Sequence, residues 1–244
     1  MDPRKDVIEE RLQGIKRIIA ITGGKGGIGK TSIATLLALK FAEKHKKVGL
    51  FDLDFSGPSA HILLNKKKFD FPEEENGIIP PTVHGIKFMT IVDYTKENPS
   101  PMRGIDVTNA ILEILAITRW DKLDYLIIDM PPGISDPALD IMKMIKRAEF
   151  IIAATPSKIS IPEVANTIKF LQNTKKSIMG SVINMIFKGS AQLEEKLEEL
   201  DVDVLAKIDF DEDYEDAVGN IAKLRQTAFA QKIEEMTKEL PFRK

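Results

Sequence analysis

The sequence predicts an α/β fold: a doubly wound, mostly parallel sheet flanked by helices, three layers α/β/α, in one domain spanning residues 1–244. Three observations predict it. Short β-branched apolar runs alternate along the chain with longer segments of helical periodicity. Some runs are apolar at consecutive positions, Tyr125-Leu126-Ile127-Ile128-Asp129 being the clearest, as in strands buried on both faces. The run Ile15 to Ile21 leads through a glycine-rich loop straight into a helical pattern.

Taken in order, Met1 to Gly14 has mixed charge and helical spacing and lacks the apolar core of a signal peptide. After the first strand and loop, Ile33, Leu36, Leu37 and Phe41 mark a helix, with Ala34 and Ala38 allowing close packing. Lys47 to Asp54 is a second strand, and Phe55-Ser56-Gly57-Pro58-Ser59 a turn-rich loop. Asn65 to Pro81 is polar and acidic and reads as a surface excursion, its Lys66-Lys67-Lys68 run as solvated. Gly85 to Val92 returns as a strand, Pro99 to Asp106 is a loop, and Val107 to Thr118 a helix, with Trp120 expected to pack against a helix end. The Tyr125–Asp129 strand is followed by a helix carrying Leu139, Ile141, Met142 and Ile145. Strands at Phe150 to Thr155, Ser177 to Met185 and Val204 to Ile208 then alternate with helices at Ile161 to Lys175 and around Leu193, Leu197 and Leu200. Phe229, Ile233, Met236 and Leu240 stripe a last helix. Its narrow apolar face and mixed Glu/Lys polar face suit docking on the chain's own core rather than a membrane.

The chemistry concentrates in Thr22-Gly23-Gly24-Lys25-Gly26-Gly27-Ile28-Gly29-Lys30-Thr31. Gly24, four residues, then Gly29-Lys30-Thr31 satisfies the P-loop pattern, in which glycines let successive N–H groups turn onto a phosphate. Lys30 is expected on the β and γ phosphates and Thr31 on Mg²⁺, at the positive end of a helix. Asp129, closing an apolar strand, fits a carboxylate that holds Mg²⁺ through water, and Asp54 a group that accepts from an attacking water. Asp52 supports either the Mg²⁺ water shell or a lysine. Spacing alone leaves Lys25 as either a second cation on the phosphates or a solvent-exposed residue.

Composition narrows the rest. The net charge is −2 and the pI near 6.0, so nucleic acid is not an expected partner. The chain has no cysteine, which removes thiolate nucleophiles and Cys-ligated metals or iron–sulfur clusters. His45, His61 and His84 lie in separate elements and read as surface or turn histidines, and the acidic stretch Asp209 to Asp216 as a solvated helix start or a partner-facing patch. A cytoplasmic protein without stable membrane anchoring is expected.

At Lys25-Gly26-Gly27-Ile28-Gly29-Lys30-Thr31 the sequence resembles the deviant Walker A loop of the Mrp/MinD group of P-loop ATPases. Asp52-Leu53-Asp54 with Gly57-Pro58-Ser59 is similar to the switch I of the Mrp branch, and Asp124 to Gly133 to its Walker B and switch II. Gly77 to Met89 resembles its intervening segment, and Val182-Ile183-Asn184-Met185 the strand whose Asn reads adenine. The resemblance implies a P-loop NTPase fold and an ATP-dependent homodimer in which Lys25 acts across the interface. It implies catalytic roles for Lys25, Lys30 and Asp54, and ATP/ADP on Gly24, Lys25, Gly26, Gly27, Ile28, Gly29, Lys30, Thr31, Ser32, Gly133 and Asn184. Gly133 would sense the γ-phosphate, and Mg²⁺ would sit by Thr31, Asp52 and Asp129, partly through water. The Cys-x-x-Cys that Mrp-type iron–sulfur carriers have after this Asn is missing here, as is the proline of the adenine-side loop near Asp209 to Asp213. A Mrp-like ATPase without cluster cysteines resembles accessory proteins of nickel–iron hydrogenase maturation, and so implies a nickel metallochaperone or maturation factor as partner. A MinD- or ParA-like positioning ATPase is the alternative.

Overall fold

The structure is a computed structural model that describes residues 2–55, 57–67, 73–95 and 105–240. Ser56, Lys68 and residues 99–104 of the expected Pro99 to Asp106 loop lie outside the described residues, and Ile105 and Asp106 open a helix instead. The chain opens with α1 (Arg4–Leu12), β1 (Ile15–Gly23), α2 (Lys30–Glu43), β2 (Val48–Asp52) and α3 (Ala60–Leu63). Short strands β3 (Glu73–Glu74), β4 (Ile78–Ile79) and β5 (Thr82–Val83) precede β6 (Ile86–Thr90), α4 (Val92–Thr95) and α5 (Ile105–Ile117). Then come β7 (Leu123–Asp129), α6 (Asp136–Met144), β8 (Glu149–Ala154), α7 (Ser160–Asn173), β9 (Ser177–Ile186) and α8 (Ala191–Glu199). The chain finishes with β10 (Val204–Asp209), α9 (Glu212–Ala217), α10 (Ile221–Leu224) and α11 (Ala228–Glu239).

Eight strands form one sheet in the order β10-β9-β8-β1-β7-β2-β6-β5, parallel except for the β5–β6 edge hairpin. Alternation within β1 feeds both sides of it. Ile18 and Ala20 join the core under α1, α5, α6, α7 and α8, whereas Ile19 and Ile21 join the core under α2 and α11. This is the predicted three-layer arrangement. The C-terminal helix docks on the chain's own core: Phe229, Ile233 and Met236 are buried, and Lys40 of α2 pairs with Glu234 at 3.2 Å.

The order also fixes where a ligand can bind. The chain leaves β1 toward β2 on one side and leaves β7 toward β8 on the other, so a crevice opens at their carboxyl ends. Register aligns Ile21 with Asp129 and Asp52 with Asp129, bringing both carboxylates to that crevice.

Three expectations change. The Lys66 side chain is not solvated; it is buried in an ion pair with Asp93, itself fully buried, and its ammonium lies 5.5 Å from the centre of the Phe88 ring. His61 is buried rather than at the surface. The Asn65–Pro81 excursion contains the β3–β4 ribbon, through which Ile78 reaches the core. Trp120 packs in the interior, tilted on Phe51 at 5.1 Å and lying over Gly49, both on strand β2.

Candidate nucleotide site

The loop from Gly24 to Gly29 joins β1 to α2, and its glycines have different jobs. A Cβ on Gly23 would meet the Ala153 carbonyl at 2.8 Å, one on Gly24 the Glu163 side chain at 2.7 Å, and one on Gly29 the Asn184 amide nitrogen at 2.3 Å. Those three close the loop against its neighbours. Around Gly26 and Gly27, by contrast, an added Cβ meets nothing within 4 Å, and Gly27 and Gly29 take φ of +73° and +87°. The loop is therefore packed on its protein side and open where a phosphate chain would lie.

Lys30 is almost fully buried at the start of α2, and its Nζ donates to the Lys25 carbonyl at 3.4 Å, curling back over the loop. Lys25 itself is half-exposed and lines an open cavity of about 650 Å³ between the loop, Thr155–Lys158 and Met185–Leu193. The two lysines thus face different surroundings, a distinction that spacing alone did not make.

Thr31 Oγ1 donates to Asp129 Oδ2 at 2.6 Å. Asp129 Oδ1 is buried without a hydrogen-bond partner among the described residues. Burial pushes the Asp129 carboxyl up to about 7, the Thr31 hydroxyl and the Lys30 charge opposing the rise. Asp52 is pushed well above the ordinary carboxylate range, first by burial and then by the charges of Asp129 and Asp54. It accepts from the Asp54 N–H at 3.3 Å, from the Ala60 N–H and, more distantly, from the Thr90 hydroxyl at 3.5 Å. Two buried carboxylates with an orphaned oxygen beside a hydroxyl and an open phosphate cradle suit a hard divalent cation such as Mg²⁺. When bound, Mg²⁺ would supply positive charge to the phosphates; Thr31, Asp129 and Asp52 are the residues placed to hold it. No such fit exists for an iron–sulfur cluster on thiolates, since the chain has no cysteine.

Asp54 is half-exposed at the crevice mouth. The Gly133 N–H donates to the Gly23 carbonyl at 3.1 Å, so the loop after β7 is tied to the end of β1. Asn184 is brought in by a bulge that sequence reading could not see. Between Lys207/Asp209 of β10 the register advances from Ile183 to Ile186, and Met185 takes φ +56°. Asn184 Nδ2 then donates to the Ile28 carbonyl at 3.0 Å, leaving its oxygen free to accept. Ser32 and Asn184 share a small cavity at this end. Lys25, Gly27 and Ile28 thus line the larger cavity and Ser32 and Asn184 the smaller one, with Met185 common to both.

The family described as ParA, NUBPL iron-transfer P-loop NTPase, matches residues 14–241. The chain belongs to this family. As a NUBPL-type P-loop NTPase it is a nucleotide-binding ATPase of the Mrp/MinD kind. It is 35% identical over 182 residues to the cytosolic Fe-S cluster assembly factor Nubp2 homolog of Drosophila melanogaster, covering 71% of this chain and 70% of that protein. It is also 35% identical to the iron-sulfur cluster carrier protein of Rickettsia felis over 72% of this chain and 55% of that longer protein. A nucleotide-binding protein of Archaeoglobus fulgidus, solved in complex with ADP, superposes with a TM-score of 0.81 at 28% identity over 98% of both chains. The septum site-determining protein MinD of Pyrococcus horikoshii shares the fold, with a TM-score of 0.66 at 20% identity over 91% of this chain and 95% of that one.

Proposed function

We propose that this NTPase is an ATP-dependent homodimeric switch. Mg·ATP on Gly24 to Ser32 of one subunit is closed over by a second copy, whose Lys25 reaches the phosphates. The observation that carries the reading is the contrast between the lysines: Lys30 is folded onto its own loop, while Lys25 sits at an open cavity facing outward. Around that opening Ile159 is 76% and Phe187 69% exposed, an apolar rim of the kind that marks a protein interface.

Within this reading Lys30 and Lys25 stabilise charge developing on the transferred phosphoryl group, and Asp54 orients the attacking water. Gly133 senses the γ-phosphate by giving up its bond to Gly23, which couples nucleotide state to the loop before α6. Asn184 accepts from the adenine amino group.

The output is metalloprotein maturation in the cytoplasm, with the metal carried by a partner, because this chain offers no thiolates. A nickel metallochaperone serving nickel–iron hydrogenase is one client that the cysteine-free architecture fits. An iron–sulfur scaffold protein is the second, favoured by the names of the relatives. The test is capture of endogenous partners on the immobilised protein with ATP and with ADP, followed by metal analysis. A nucleotide-dependent nickel or iron–sulfur partner supports the corresponding client. Nucleotide-dependent pelleting with liposomes or DNA, and no metalloprotein partner, would instead establish a MinD- or ParA-like positioning role.

A further inference from the structure

The acidic stretch that follows β10 has no role in the phosphate chemistry. Asp209, Asp211, Glu212, Asp213, Glu215 and Asp216 put six carboxylates into the eight residues 209–216, with no cation among them. Asp211 is engaged with the backbone, accepting from the Asp213 N–H at 3.2 Å and the Phe229 N–H at 3.1 Å. Charges on neighbouring elements are paired within the chain: Glu194 with Lys207, Glu199 with Lys196, Glu235 with Lys232 and Glu43 with Arg225. Glu212, Asp213, Glu215 and Asp216 of α9 are exposed, and none forms an ion pair among the described residues.

The cavity beside Lys25 has the reverse composition. Lys25, Lys158 and Lys188 line it, and no carboxylate does among the described residues. With a net charge of only −2, the chain has separated its signs rather than accumulated one of them.

The three cations differ in their surroundings. Lys25 is the one directed at phosphates in the reading above. Lys188 follows Phe187, whose ring stacks on Phe210 at 4.3 Å between centroids, so it lies beside the acidic stretch of its own chain. Lys158 is exposed in the loop between β8 and α7, makes no ion pair among the described residues, and is followed by Ile159 at 76% exposure.

Both patches lie at the carboxyl end of the sheet. α9 starts where β10 ends, and its Tyr214 lines the small cavity with Ser32 and Asn184. If Lys25 crosses to the phosphates of a second copy, the remaining wall of its cavity faces further along that copy's site, toward α9. A two-fold axis repeats the contact in both directions.

We propose that the acidic face of α9 receives Lys158 of the second copy, so that two reciprocal charged contacts flank the nucleotides. This rests on the homodimer reading and names the residues that select the partner. Exposed ion pairs add little affinity, whereas opposed patches of opposite sign orient an encounter and reject surfaces of the wrong charge.

The test is sedimentation velocity with Mg²⁺ and the non-hydrolysable analogue AMPPNP. It compares wild type with Lys158→Glu and with a fourfold variant combining Glu212→Lys, Asp213→Lys, Glu215→Lys and Asp216→Lys. Retained ADP binding checks that each variant is folded. Each alone should dimerise at least about tenfold more weakly than wild type, because both contacts then oppose like charges. Their equimolar mixture should dimerise like wild type: in the mixed dimer one contact joins the two reversed charges and the other is native. The milder Glu215→Lys/Asp216→Lys variant, altered where lysine suits the end of a helix, should fall between wild type and the fourfold variant. Variants that dimerise like wild type, or a mixture as weak as its components, would overturn the proposal while leaving the homodimer standing. A wild-type chain that stayed monomeric with AMPPNP would overturn the homodimer reading and this proposal with it.

Discussion

Replacing Asp129 with Asn separates what this carboxylate does for the fold from what it does for the metal. Burial raises its pKa from the ordinary 3.8 to about 7, so the folded chain holds the proton more tightly than the unfolded one. The sign is opposite to that of a salt-bridged aspartate. Below pH 3.8 the group is protonated in both states and costs nothing; stability then falls as pH rises toward 7, and above 7 the whole difference is lost. At about 1.4 kcal/mol per pH unit, the separation between 3.8 and 7 amounts to about 4 kcal/mol at pH 8 and less than half of that at pH 5. Asn keeps an oxygen to accept from Thr31 and cannot ionise. Nucleotide-free Asp129→Asn should therefore melt several degrees above wild type at pH 8, with a much smaller gain at pH 5, since each kcal/mol moves the midpoint of a chain this size by about 2–4 °C. Adding Mg·ADP should stabilise the wild type and do far less for the variant. Calorimetry or fluorescence melts at the two pH values decide it: a variant less stable than wild type at pH 8, or a pH-independent difference, refutes the buried-charge argument.

Gly29→Ala should lower stability by about 2 kcal/mol or more and weaken ATP binding, because φ +87° disfavours any Cβ and the new methyl meets the Asn184 amide at 2.3 Å; urea titration measures the first and calorimetric binding the second. Lys66→Met takes the ammonium from the fully buried Asp93 and should cost about 3 kcal/mol in urea denaturation, far more than loss of a solvated lysine. A Lys66→Met chain as stable as wild type would show that this pair does not hold the segment after α3.

The sheet and the phosphate cradle were legible because each is written locally. The runs of β1 and β7 carry their own strand signal, and a loop with glycines at fixed offsets before a lysine and a threonine has few alternative uses. Convergence of Asp52 and Asp129 followed once the strands were parallel and adjacent, although adjacency itself is a long-range property. What the sequence hid depends on contacts between distant segments. A run of three lysines gives no sign that the first pairs with Asp93, 27 positions later, inside the protein. The bulge at Met185 that aims Asn184 arises from pairing with β10, and the Phe187–Phe210 stack from the same pairing carried one residue further. Two- and four-residue elements such as β5 and α10 are too short to show a period.

The central claim is that Lys25 completes the site of another subunit, and mixing two inactive variants tests it most directly. Lys25→Ala keeps its own cradle but lacks the trans cation; Lys30→Ala keeps Lys25 but cannot hold nucleotide productively. Each alone should release little phosphate from ATP. If Lys25 acts in trans, their equimolar mixture regains activity, because a mixed dimer contains one complete site. A mixture as inactive as its components, under conditions where light scattering shows that mixed dimers form, would contradict the account.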